Sequence, residues 1–212
     1  MSTTTNQSSL LYQLRKLAPA RPLTQFEAYR IAELQANRLL EAAHVDQPGT
    51  PDELITGLAF VQTSLRGDLP ASGLTRWVKP RWRIYLNGNE SALRRRYSLM
   101  HEFKHILDHG MSERLYPANQ WGSAAERAER VCDYFAASLL MPKRLVKRRF
   151  FQGLSDPDEL AAEFGVSSQA MRVRLDQLKL TEPIPRCDRQ LKSPPIDLSG
   201  YLRRAPVRER VA

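Results

Sequence analysis

Cysteine is scarce in this chain: Cys132 and Cys187 are the two it has in 212 residues. Two thiols cannot staple a small disulfide scaffold, nor supply a four-cysteine zinc ribbon. Long apolar runs are missing too, and none approaches the roughly 18 residues that a membrane helix needs. The opening MSTTTNQSS has neither a basic n-region nor an apolar h-region, so no secretory signal is expected. A cytoplasmic, reducing setting is the expectation that follows. No internal repeat is visible. Acidic side chains are outnumbered, with Lys plus Arg 32 against Asp plus Glu 23 and a formal net charge of +9. A pI near 9.9 suits acidic partners, but charge alone does not separate nucleic acid from an acidic protein. The hydrophobic fraction of 42% is enough for a core, so wholesale disorder is excluded.

Local signals divide the chain. Residues 1–22 read as a flexible tail with at most one helical turn, polar at first, then LLYQLRKL and two prolines. Thr24 and Glu27 form a capping box that opens a helix running to about Ala43. Thr50-Pro51-Asp52-Glu53 opens a second helix. Val61–Ser64, Gly73–Val78 and Trp82–Leu86 are short and rich in β-formers, with Lys79-Pro80-Arg81 as a turn, and they predict a sheet of about three strands. An apolar stripe predicts a helix over 91–109. Ser123 and Glu126 cap another over 123–141, which Pro142 stops before a helix through Phe151. Asp156, Gly165 and Ser167 punctuate two shorter helices ending near Leu178. Residues 181–212 read as a disordered, basic, proline-rich tail. The fold class expected is α+β, mainly helical with a small sheet.

Chemistry concentrates at 101–105, His-Glu-Phe-Lys-His, an HExxH motif. With four histidines in the chain, roughly 0.005 such matches arise by chance. Residues four apart on a helix stack one turn above the other. His101 and His105 can therefore aim at one point at about 2.0–2.1 Å, the usual zinc distance. Glu102 points too far round to be a third ligand. It can instead take the proton of a zinc-activated water during attack on a peptide carbonyl and pass it to the leaving amine. The third ligand must come from elsewhere. His109 lies on the drifting edge of the same face, and a straight helix puts three successive turns on a line. The helix over 123–141 offers Glu126, Glu129 and Asp133. Glu126 has a capping role already, so Glu129 is preferred, with Asp133 one turn on to hold the far nitrogen of a ligating histidine. Glu126 and His109 stay open as alternatives.

The stretch RRRYSLMHEFKHILDH, followed about twenty residues later by ERVCDYFAASLLMP, resembles the ImmA/IrrE family of zinc metallo-endopeptidases, which are gluzincin-like in their metal site. The match in the second stretch runs over Glu129, Cys132, Asp133, Phe135, Ala136, Leu139, Leu140, Met141 and Pro142. WRIYLN and ELAAEFGVSSQAMRVRLDQLKL also resemble the family, and the likeness covers about residues 25–180. It implies a zincin-like metallopeptidase domain over 23–152 and a helix-turn-helix-like segment packed on it over 153–180. It implies Zn2+ held by His101, His105 and Glu129, with Glu102 catalytic and Asp133 behind the ligands. It also implies limited cleavage of a protein substrate, a DNA-binding repressor of a mobile element or stress response. Cys132 and Asp133 stand where an Ala-Asn pair is common, and Lys104 where glycine is frequent. Neither departure removes a ligand.

The segment from Asp158 to Leu180, bearing Arg172, Arg174 and Lys179, has helix-turn-helix character. Direct DNA binding is possible but not favoured, since basic charge is not specificity. Arg94–Arg96 and the cluster Lys143, Arg144, Lys147, Arg148, Arg149 read as solvated faces or a docking patch for an acidic partner. Trp77, Trp82, Trp121 and Tyr97 read as packing residues. Tyr134, Tyr116 and Arg130 are possible oxyanion stabilisers, with none nominated. The competing reading is a DNA-binding or toxin–antitoxin-type regulatory module with a structural or vestigial metal site. An adaptor that binds a regulator without cutting it is a third.

Overall fold

A computed structural model describes residues 3–120 and 122–180, with side chains from residue 10 onward. Trp121, Cys187 and the whole stretch expected as a C-terminal tail, 181–212, lie outside the described residues. The elements follow in the order α1 (Thr3–Lys16), α2 (Gln25–Ala42), α3 (Glu53–Thr56), β1 (Val61–Arg66), β2 (Gly73–Val78), β3 (Arg81–Asn87), α4 (Ala92–Asp108), α5 (Ser112–Leu115), α6 (Ala124–Leu140), α7 (Lys143–Phe151), α8 (Pro157–Phe164) and α9 (Ser168–Gln177). The architecture is α+β, mainly helical, with one three-stranded sheet.

Helix starts fall where side-chain acceptors satisfy free backbone donors. Thr24 and Glu27 close a full capping box on α2, and Ser123 and Glu126 do so on α6. Ser91 accepts from the Arg94 N–H at the start of α4, Asp156 caps α8, and Ser167 caps α9. Gly165 ends α8 in the left-handed conformation, φ 63° and ψ 46°, which costs glycine no Cβ clash. The helix opened at Thr50 is a single turn, α3, ended by Gly57. The sheet order is β1-β3-β2, with β1 parallel and β2 antiparallel to β3. β2 is thus an edge strand, and it lies against α4.

The N-terminal stretch corrects the expectation of a tail over 1–22. Residues 3–16 are helical, Leu14 is fully buried, and the Arg15 guanidinium donates to the Ile106 carbonyl at the end of α4, 2.7 Å. Gln35 of α2 donates to the Leu14 carbonyl. These partners are distant in the chain, so a polar opening sequence carries little trace of them.

α4 is the central rod. Phe103, Ile106 and Leu107 are fully buried, and Phe103 faces Phe135 of α6 with ring centroids 6.3 Å apart. Between α4 and α2 lies a buried polar cluster. Lys104 Nζ donates to Asp108 Oδ1 at 2.6 Å and to Gln35 Oε1 at 2.8 Å, and the Tyr116 hydroxyl donates to Asp108 Oδ2 at 2.8 Å. Lys104 is fully buried. A charge there requires its partner, because removing one member strands the other in a low dielectric. Lys104→Met should therefore lower unfolding free energy by about 3–5 kcal/mol, and adding Asp108→Leu should restore much of it. Urea denaturation of the single and double variants checks this, and equal losses in both would contradict it.

Candidate metal centre

His101 and His105 lie one turn apart on α4 and their rings converge, centroids 5.0 Å apart. Their Nε2 atoms are 3.2 Å apart. Glu129 of α6 brings Oε2 to 3.0 Å from His101 Nε2 and Oε1 to 3.4 Å from His105 Nε2. A tetrahedral ion with ligands at 2.0–2.1 Å has donor–donor edges of about 3.3 Å. Two imidazole nitrogens and a carboxylate at these separations form a donor set that fits zinc. Asp133, one turn after Glu129, accepts from His101 Nδ1 at 2.9 Å. The ring of His101 is thereby held at both nitrogens by acids of one helix.

His105 has a different partner behind it. Cys132 Sγ lies 3.7 Å from its Nδ1, and this thiol is buried. His101, His105 and Cys132 also form a group close enough to hold an ion. The sulfur, however, meets the nitrogen on the opposite edge of the His105 ring from the one facing Glu129, and a single imidazole cannot present both edges to one ion. The set containing Glu129 has three donors converging on one point, and it is the better fit. Burial raises the Cys132 thiol pKa well above its ordinary value, with Lys104 opposing, so the sulfur is a neutral neighbour.

Glu102, next to His101 on α4, is buried against β2. Two residues of β2 fix its carboxylate, and sequence reasoning missed both. Thr75 Oγ1 donates to Glu102 Oε2 at 2.7 Å. Gly73 lies so close that a Cβ there would stand 2.7 Å from Glu102 Cγ and 2.8 Å from Oε1, nearer than atoms pack. The signal available was Gly-Leu-Thr alternation in a strand, but its meaning depends on β2 lying across α4.

The remaining candidates are dispersed. Glu126 is occupied in its capping box. His109 caps α4 and packs edge-on against Trp82, centroids 4.7 Å apart. Tyr116 belongs to the buried Lys104–Asp108 cluster. Tyr134 stacks on Tyr29, centroids 4.4 Å apart. Tyr97 donates from its hydroxyl to the Asp133 carbonyl, 2.8 Å, and lines the cleft. A cavity of about 580 Å³ opens over this centre, bounded by Gly73, Thr75, His101, Glu102, His105 and Glu129 among others.

Two convergent imidazoles and an acid from a neighbouring helix, under a cleft flanked by an edge strand, form a set of donors that could hold one metal ion. The IrrE N-terminal-like domain model of Peptidase M78 matches residues 62–176, and the chain belongs to that family. The fold is similar to that of a Mycobacterium tuberculosis transcriptional regulator, with TM-score 0.58 and 16% identity over 84% of this chain. This chain spans about half of that protein, 53% of its length. No curated protein sequence matches the chain. Among the described residues no helix is long and apolar enough to cross a membrane.

The metal-free electrostatics have a consequence. Burial alone would lower the His101 pKa, but hydrogen bonds to the Asp133 and Glu129 carboxylates overcome it and raise the value to about 9. The same contacts, led by the His101 hydrogen bond, lower Glu129. Below about pH 9 His101 therefore carries a proton on Nε2 that a metal must displace. Zinc binding at pH 7 should release about one proton, and apparent affinity should fall by about tenfold per pH unit on acidification. Calorimetry in buffers of different ionisation enthalpy reads the proton count, and binding without release would refute the assignment. Asp133→Ala should weaken zinc affinity about 10- to 100-fold.

Proposed function

We propose that this protein is a zinc-dependent endopeptidase making limited, site-specific cuts in a regulatory protein, a helix-turn-helix repressor of a mobile element or stress response. The observation that carries the reading is the convergence of His101 Nε2, His105 Nε2 and the Glu129 carboxylate opposite a separately anchored Glu102. Membership of a peptidase family supports it. So does the likeness in fold to a protein described as a transcriptional regulator, which motivates the choice of substrate class.

In this reading His101, His105 and Glu129 are the zinc ligands. A zinc ion held there supplies Lewis-acid polarisation and brings the pKa of water down to about 7. Asp133 keeps the proton on His101 Nδ1, so that Nε2 faces the cleft. Glu102 accepts a proton from the attacking water and later delivers it to the departing amide nitrogen. Thr75 and Gly73 hold that carboxylate in place through both transfers. Among the described residues no strand pairs with the outer edge of β2, which would offer backbone donors and acceptors to an extended substrate strand.

The competing DNA-reading module has less support. Of the basic residues on α9, Arg174 is fully buried, donates to the Met141 carbonyl at 3.0 Å and lies over the Tyr134 ring. Arg172 forms a two-pronged pair with Asp158. The other basic clusters are partly tied down as well: Arg96 to the Thr50 carbonyl, Arg148 to Asp46, Arg149 to Glu163.

Purified protein should carry about one zinc per chain. Glu102→Gln should retain the metal and lose about 10²- to 10⁴-fold in cleavage rate, whereas His105→Ala should lose both. Metal analysis of the protein and mass spectrometry of helix-turn-helix repressors incubated with it provide the readout. Undiminished cleavage by Glu102→Gln would end the proposal. Thr75→Val should keep zinc and slow turnover about tenfold, through loss of one hydrogen bond to a charged group, with little change in KM.

A further inference from the structure

The cleft over the metal centre continues at both ends. On one side it shares Arg94, Tyr97 and Asp133 with a cavity of about 520 Å³ whose far wall is α9. On the other it shares Trp82 and His109 with a cavity of about 610 Å³ lined by Tyr12, Phe60 and Trp77. The three cavities adjoin in series through these shared residues, with the candidate metal ligands in the middle one. Both outer cavities carry apolar side chains on their walls, interleaved at the α9 end with polar ones such as Arg94, Gln169 and Gln177. The α9 end presents Leu93, Ala137, Met141 and Val173. The other end is aromatic, with Trp77 and Trp82 ring centroids 5.2 Å apart.

Apolar side chains left in water accumulate along this series. Tyr12 is 63% exposed and Trp77 51% at one end, and Leu93 is 42% and Val173 47% exposed at the other. Exposed apolar area arranged in a line, continuous with a candidate active site, marks a surface that a partner covers. The spacing defines that partner. From Gly73, against Glu102, to Trp77 is four strand residues, about 13 Å. From His101 back to Leu93 is eight helical residues, about 12 Å. An extended chain covers each distance in about four residues.

We propose that the two outer cavities are the specificity subsites of the peptidase. They would select an extended segment with a large apolar side chain about four residues to either side of the bond at the metal centre. This inference rests on the peptidase reading and deepens it. α9 is then a wall of the substrate groove: its buried Arg174 fixes the helix to the body of the protein, and Val173 is its contact with substrate. The aromatic end is completed by α1, through Tyr12. A folded domain presents no such segment, so the cut falls in a linker or an unwound strand.

The test uses binding, so that it does not depend on turnover. Zinc-loaded Glu102→Gln full-length protein is panned against a library of random peptides. Bound sequences should carry two apolar positions separated by about eight residues. Val173→Glu should abolish the preference at one position and Trp77→Ala at the other, each weakening selected peptides about tenfold. Both residues are exposed, so folding is preserved, and circular dichroism verifies it. Selection without apolar preference, or preferences unmoved by both substitutions, would overturn the subsites. If selected peptides bind as described but the wild-type zinc protein leaves them intact, the subsites stand and the peptidase reading fails. If it cuts peptides lacking these residues equally fast, the subsites fail and the peptidase reading stands.

Discussion

The imidazole of His101 is gripped at both nitrogens by two acids of one helix, and the site depends on that grip. Glu129 and Asp133 stand four apart on α6, so they project from one face and straddle the ring. Cys132, from the turn between them, meets His105. A single helix thereby supplies a partner to each of the two histidines as well as a candidate ligand. This works only if α6 lies alongside α4 at a fixed height. The apolar stripes of the two helices, meeting through Phe103 and Phe135, set that height, so the packing of the core and the aim of the ligands are the same constraint.

The sheet contributes the other half. β2 is short and at an edge, yet it brings both a hydroxyl and an absence of side chain to Glu102. The Glu102 carboxylate is thereby held by β2, apart from the Glu129 carboxylate that faces the two imidazoles. One Glu sits beside Thr75 and is buried; the other sits between two imidazoles and is half open to solvent. Their different surroundings suit them to different work.

Much of this was legible in the sequence wherever the signal was local. The caps at Thr24, Ser91, Ser123, Asp156 and Ser167 mark helix starts because each acts within three residues. The strands follow from composition to within two residues, read as 61–64, 73–78 and 82–86 against 61–66, 73–78 and 81–87, and the pairing of His101 with His105 follows from helical pitch. What escaped depends on distant segments. α1 is stabilised by contacts with Gln35 and Ile106, α5 is a single turn, and the grip of Gly73 and Thr75 on Glu102 exists only once β2 crosses α4. Arg174 looked like a basic residue for nucleic acid, and no local pattern distinguishes it from one that is buried under Tyr134. Lys104, in a position where glycine is frequent in the family, has its explanation on α2, some 69 residues away.

The anchoring of α9 through Arg174 has an implication for biosynthesis. The candidate metal-site residues, from His101 to Asp133, leave the ribosome well before residue 174 does. Until that arginine emerges and docks on the Met141 carbonyl, the cavity beside Tyr97 and Asp133 lacks its α9 wall. A nascent chain would thus carry the candidate metal ligands before the neighbouring cavity is closed by α9.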